Sequence, residues 1–189
     1  MPVKKLFNRA TKILLSTDTI VLVAIAMLGP FYTIFVERIG GNLFGASLTL
    51  AVFAIAAGVT TLFCRRYTDR VKESELVVVF GYTLMGLCFV LYIFINSLVT
   101  LFLVQILIGI AVAIYAPASD ALHSKHLNNC RAGKIWGAGK AMDYFSMAVG
   151  AVIGSLIVTQ LGFEVLFILM AAFCFASAAY IYFLPRKVL

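Results

Sequence analysis

The chain has 189 residues, of which 63% are hydrophobic and only 12% charged, and its mean hydropathy is +1.05. A soluble domain of that length has too little interior to hide so much apolar surface, which excludes a water-soluble globular protein and makes lipid the expected solvent. The formal charge of +7 would suggest nucleic acid in a soluble protein, but here no nucleic-acid partner is expected and the useful datum is where the positive charges fall.

Six apolar runs each approach the roughly 20 residues that cross about 30 Å of hydrocarbon. The first predicted helix covers 19–36 and follows Lys4, Lys5, Arg9 and Lys12. Its run is long and lacks a small-residue cleavage pattern, so no cleavable signal peptide is expected. Gly29-Pro30 removes a backbone hydrogen bond near mid-depth, as a tolerated kink or as a hinge lining a cavity. Phe31, Tyr32 and Thr33 beside it are candidate solute contacts. The second helix, 43–63, leads into CRRYTDRVKESE (64–75), the densest charge cluster in the chain.

Only Asn96 and Ser97 separate the third helix, 76–95, from the fourth, 98–118. The fourth carries Gln105 and Tyr115, further candidate solute contacts, and a late Pro117. Asp120 follows at its end, where a salt bridge to the basic loop after the second helix is geometrically natural. The loop 122–134 contains His123, His126 and Cys130. An HxxH spacing without a further convincing ligand is a weak metal signal, so a polar interfacial loop is expected and no metal. The four cysteines have no metal-knuckle pair and are expected to be free thiols.

In the fifth helix, 135–161, Gly139, Asp143, Ser146, Gly150 and Gly154 recur at steps of three and four and so share one face. This is a small-residue stripe suited to close helix contact, with GAVIG an instance of GxxxG. Counting ~1.5 Å per residue from Ile135 places Asp143 roughly 12 Å into the hydrocarbon. An ionised Asp there costs about 2.5–3.5 kcal/mol, so it should be paired, protonated or facing water. One reading is an Asp hydrogen-bonded in helix packing and tied to Lys140; the other is a carboxylate that couples protons or binds a cationic solute. A pair of Lys140 side chains would instead suit an anion. The sixth helix, 163–184, follows after Gly162 alone and begins with Glu164 at the interface.

The basic residues gather before the first helix, after the second and fourth, and after the sixth, where Arg186 and Lys187 lie. The positive-inside rule then puts both termini in the cytoplasm, in an expected plasma (inner) membrane. The fold class expected is an all-α membrane protein, a single domain of six transmembrane helices. Its long 122–134 loop divides it into two halves of three helices, as inverted repeats do in transporters. There is no GxxxxGK[ST] motif for ATP drive and no nucleophile-and-base or metal set at membrane depth, so neither an enzyme nor a cofactor is expected. A secondary active transporter leads, and an accessory or scaffold subunit that assembles through its glycine faces is the competing reading.

Three segments carry a resemblance. RRYTDRVKES (65–74) resembles the GxLADRxGRR loop motif of the major facilitator superfamily, keeping Asp69 and Arg70 while Arg65 and Lys72 replace the glycines. VQILIGIAVAIYAPASDAL resembles that family's fourth-helix pattern, with Gln105 where many members carry arginine. GAVIGSLIVTQLGFEVLF is similar to GPLLGG followed by LGWRWVF, without the proline. The resemblance spans nearly the whole chain in order and topology. Full-length members have twelve helices in two six-helix halves, and MPVKKLFNRATK and LPRKVL read as a natural start and stop, so one half made alone is expected. The implied assembly is a parallel homodimer about a twofold axis along the membrane normal, with a small solute moving along that axis and a proton as candidate coupling ion. The resemblance also implies a cytoplasmic gate. Asp69 would face the start of the fifth helix of the other subunit, near 135–137, and Arg70 would bridge toward Asp120.

Overall fold

The computed structural model describes residues 9–68, 73–125 and 132–184. Among these the chain forms helices and short turns with no strand, and six segments are long and apolar enough to cross a membrane. The first span consists of α1 (Arg9–Leu28), a 3-10 turn (Gly29–Phe31) and α2 (Tyr32–Arg38). The others are α3 (Leu43–Thr68), α4 (Ser74–Tyr92), α5 (Leu98–Lys125), α6 (Ala132–Leu161) and α7 (Phe163–Tyr182).

Pro30, which has no N–H to donate, sits in the 3-10 turn, so the expected kink is a local change of helix type that splits the first span. α5 by contrast runs through Pro117 without ending. The largest departure from the hydropathy reading is at the start of the first span, where α1 begins at Arg9 rather than Thr19. Lys12 and Asp18 interrupt the apolar run but not the helix. Leu14, Thr17, Val21, Ala24 and Met27 recur at steps of three and four, and all are buried, so packing continues past the break in hydropathy. Asp18 is thereby enclosed within a helix rather than left before one.

The turns at the short-loop end have local causes. Asn42 caps α3, its Oδ1 accepting the Gly45 N–H at 2.7 Å, and the Ser97 Oγ accepts the Thr100 N–H at 3.3 Å at the start of α5. Gly162 joins α6 to α7 alone at φ 86°, a conformation that a side chain would oppose. Aromatic rings then close this end of the bundle. Phe35 of α2 lies 5.6 Å from Tyr92, 5.5 Å from Phe163 and 5.1 Å from Phe167, ring centroid to centroid, tying α2 to α4 and α7.

The spans pack in a continuous order: α3 on α5, α5 on α4, α4 on α7, α7 on α1, and α1 on α6. Exchanging the first three spans for the last three reverses this order onto itself, as two three-helix repeats require. α3 and α6 stand at the two ends and are the least enclosed spans, while α1 and α5 touch only lightly across the bend. Along α6 the small-residue stripe changes its role with depth. A Cβ on Gly150 would stand 2.7 Å from the Val23 carbonyl oxygen, and one on Gly154 would run into the Met27 backbone, whereas at Gly139 the nearest atom is 3.9 Å away on Leu15. α1 and α6 are therefore in backbone contact near the short-loop end and splay apart toward the basic end.

Candidate functional site

Where α1 and α6 separate, a cavity of about 270 Å³ opens. Its wall takes Asp18 from α1, Tyr82 from α4, Tyr115, Ser119 and Asp120 from α5, and Trp136, Lys140 and Asp143 from α6. Asp18 is the centre of this group. The Tyr82 hydroxyl donates to its Oδ1, and the Ser119 hydroxyl donates to its Oδ2 at 2.8 Å. One carboxylate thus joins three spans through both of its oxygens. Tyr82 is fully buried, Ser119 is buried, and the Tyr82 ring packs at 5.1 Å on Tyr115. That contact depends on Gly81, since a Cβ there would overlap Tyr115. On the opposite wall the Lys140 Nζ donates to Asp143 Oδ2 at 2.9 Å, one turn apart on α6. Asp18, Asp120 and Asp143 thus stand with Lys140 around one cavity.

A second cavity, of about 340 Å³, lies toward the short-loop end among α1, the 3-10 turn and α2 to α5, with Met170 of α7. Among the described residues, no charged one lines it. Its polar groups form one chain: the Gln105 Nε2 donates to the Tyr32 hydroxyl at 2.6 Å and to the Tyr92 hydroxyl at 3.2 Å, Tyr32 meets Thr49 Oγ1 at 2.5 Å, and Thr49 donates to the Ala46 carbonyl at 2.8 Å. Asp18 and Tyr32 are fourteen positions apart, or roughly 21 Å along the helix at ~1.5 Å per residue. The charged and uncharged polar groups therefore occupy different depths.

A family model described as Major Facilitator Superfamily matches residues 14–188. The chain belongs to the Major Facilitator Superfamily. A search of curated proteins finds no match. Superfamily membership together with six spans makes this an integral, multi-pass membrane protein, in a family of transporters rather than enzymes.

For this superfamily chain, the residues singled out from sequence divide between the two cavities. Tyr115, Asp120, Lys140 and Asp143 line the first, and Tyr32 and Gln105 line the second. Phe31 and Thr33 line neither. Asp69 and Arg70 lie outside the described residues. Sequence reasoning missed Asp18, Tyr82 and Ser119 in the first cavity, and Thr49 and Tyr92 in the second. A signal for Asp18 was present, because Ile13, Leu14 and Leu15 extend the apolar periodicity one turn before it. Nothing local marks Tyr82 or Ser119, which meet Asp18 only through packing between spans 64 and 101 residues away.

Proposed function

We propose that the protein is a secondary active transporter of a small solute, working by alternating access as a parallel homodimer and coupled to protons at the basic-end cavity. The observation that carries this reading is Asp18, a carboxylate inside a membrane bundle that bridges three spans and opens on a cavity. Ionisable groups at such sites are expensive to hold in a membrane and mark ion and proton paths. Ionised, the carboxylate accepts from both hydroxyls. Protonated, it carries a donor of its own and accepts more weakly at the oxygen that bears the proton, so the balance between those two ties changes. Proton occupancy thereby biases how α1, α4 and α5 sit together, which is the kind of difference between states that a ligand needs in order to shift a conformational equilibrium. Asp143 with Lys140 forms the outer wall, through which protons reach Asp18.

The dimer reading rests on the order of the spans. α3 and α6 end the row and expose large apolar side chains such as Ile55, Leu62, Phe145 and Val152. A twofold axis along the membrane normal pairs α3 of each subunit with α6 of the other and closes both ends. Both termini would then face the cytoplasm of a plasma membrane. Asp69 and Arg70 would latch the cytoplasmic side against the partner subunit's fifth span and Asp120. The accessory-subunit reading is weakened because its glycine face is already occupied, with Gly150 and Gly154 packed on α1 of the same chain.

The test is proton movement driven by solute. Purified protein is reconstituted in liposomes that enclose a pH-sensitive dye, and neutral, cationic and anionic small solutes are added in turn. A solute that is taken up together with a change in lumenal pH supports the proposal. Uptake at constant lumenal pH removes the coupling, and no uptake of any solute removes the transporter.

A further inference from the structure

We propose that the second cavity is the solute site and that it takes an uncharged, largely apolar solute carrying a hydroxyl or amide group. This rests on the transporter reading for its role, but the binding itself does not. The argument follows the hydroxyl protons. With the Thr49 proton on the Ala46 carbonyl, the Tyr32 hydroxyl donates to Thr49 and accepts from Gln105. That agrees with the orientation of the Gln105 amide, whose nitrogen makes both polar contacts to tyrosine. No described residue donates to the Gln105 carbonyl oxygen, and no described residue accepts the Tyr92 hydroxyl proton. Gln105 is 4% exposed and Tyr92 2% exposed, and both line the cavity. An acceptor and a donor with hydrogen-bonding capacity to spare thus sit side by side on a cavity wall.

The rest of the wall determines what kind of molecule carries the matching pair. Phe53 and Phe89 supply flat apolar surface, and Met85 and Met170 supply side chains that adapt to irregular shapes. A formal charge would find no counter-ion among the described residues, none of which lines this cavity with an ionised side chain. Its volume of about 340 Å³ falls at the small end of the roughly 300–1,000 Å³ typical of small-molecule sites. The site lies within one six-helix subunit, so a homodimer would hold two of them.

The probe is 4-(hydroxymethyl)benzophenone, an uncharged aromatic alcohol that inserts into C–H bonds on illumination, applied to the full chain in lipid nanodiscs and mapped by peptide mass spectrometry. Adducts are expected on Met85 and Met170, well above those on Leu87 of α4 and Ile168 of α7, which are exposed on spans away from the proposed dimer contact. Gln105→Leu, which keeps the bulk and removes the polar partner, should lower labelling about tenfold. Gly29→Phe should abolish it, since Gly29 lines the cavity and a Cβ there meets nothing within 4 Å. If Gly29→Phe does not fold, Leu50→Trp fills the same cavity from α3. Labelling of Met85 and Met170 no stronger than that of Leu87 and Ile168, or labelling indifferent to Gln105→Leu, would mean partition with the lipid and overturn the site. Equal labelling by the carboxylate analogue 4-benzoylbenzoate would overturn the uncharged class. Photolabelling needs no turnover, so a chain that labels as expected but moves no solute would retain this site and lose the transporter reading.

Discussion

Asp18→Asn is expected to abolish uphill accumulation of solute under a pH gradient, a loss of at least about tenfold, while solute exchange at equal pH stays near the wild-type rate. The substitution preserves shape and one carbonyl acceptor, so Tyr82 or Ser119 keeps a partner and the fold survives. A hydrogen bond to a charged group contributes about 1.5–3 kcal/mol, which bounds the loss of stability. What the amide cannot do is exchange a proton, so the two occupancy states that bias the packing of α1, α4 and α5 become one. Asp143→Asn provides the contrast. Its carboxylate is about one-third exposed and tied to a Lys140 that is itself mostly exposed, so its loss should slow proton delivery without eliminating coupling. The measurement is accumulation against equal-pH exchange in the same proteoliposomes. Equal losses in both assays for Asp18→Asn would mean that Asp18 is structural.

Gly154→Leu is expected to produce the largest loss of stability among substitutions on the stripe. A Cβ at that position overlaps the Met27 backbone, which has no rotamer through which to yield, so α1 and α6 must move apart. Overpacking of this kind typically costs about 1–3 kcal/mol, and contact with backbone places this case toward the upper limit. For a chain of this size that corresponds to a fall of roughly 4–10 °C in the unfolding midpoint. Gly58→Leu on α3 is the control, because a Cβ there meets nothing within 4 Å and the residue is exposed. Thermal unfolding in detergent with a thiol-reactive dye at the buried Cys88 and Cys174 measures both. Equal midpoints for the two variants would contradict the close α1–α6 contact.

Much of the fold was legible because lipid imposes a length on every apolar run, and the six spans follow from that constraint. The GxxxG stripe was legible as a packing face. Its change of role with depth was not, since the divergence of α1 and α6 is set by the partner helix and by no residue on α6 alone. The first cavity was half legible: Asp143 and Lys140 stand out against an apolar run, whereas Asp18 lies close to Lys12 and resembles an interfacial charge until its helix is seen to continue through it. The Gln105 network could not be read from sequence, because Tyr32, Thr49 and Tyr92 are ordinary polar residues of three different spans and acquire meaning only by meeting.

The most direct test of the central claim, that two copies of this six-helix chain make the carrier, is a disulfide crosslink. In a cysteine-free background, Ile55→Cys on α3 and Val149→Cys on α6 lie at matching depth on the two end spans, which are not packed on each other within a subunit. In lipid nanodiscs the single variants, when mixed, should form a mixed dimer linked between residues 55 and 149, and the double variant should form a doubly linked dimer of twice the chain mass. A monomeric mass, or a dimer that crosslinks only through other spans, would contradict the claim.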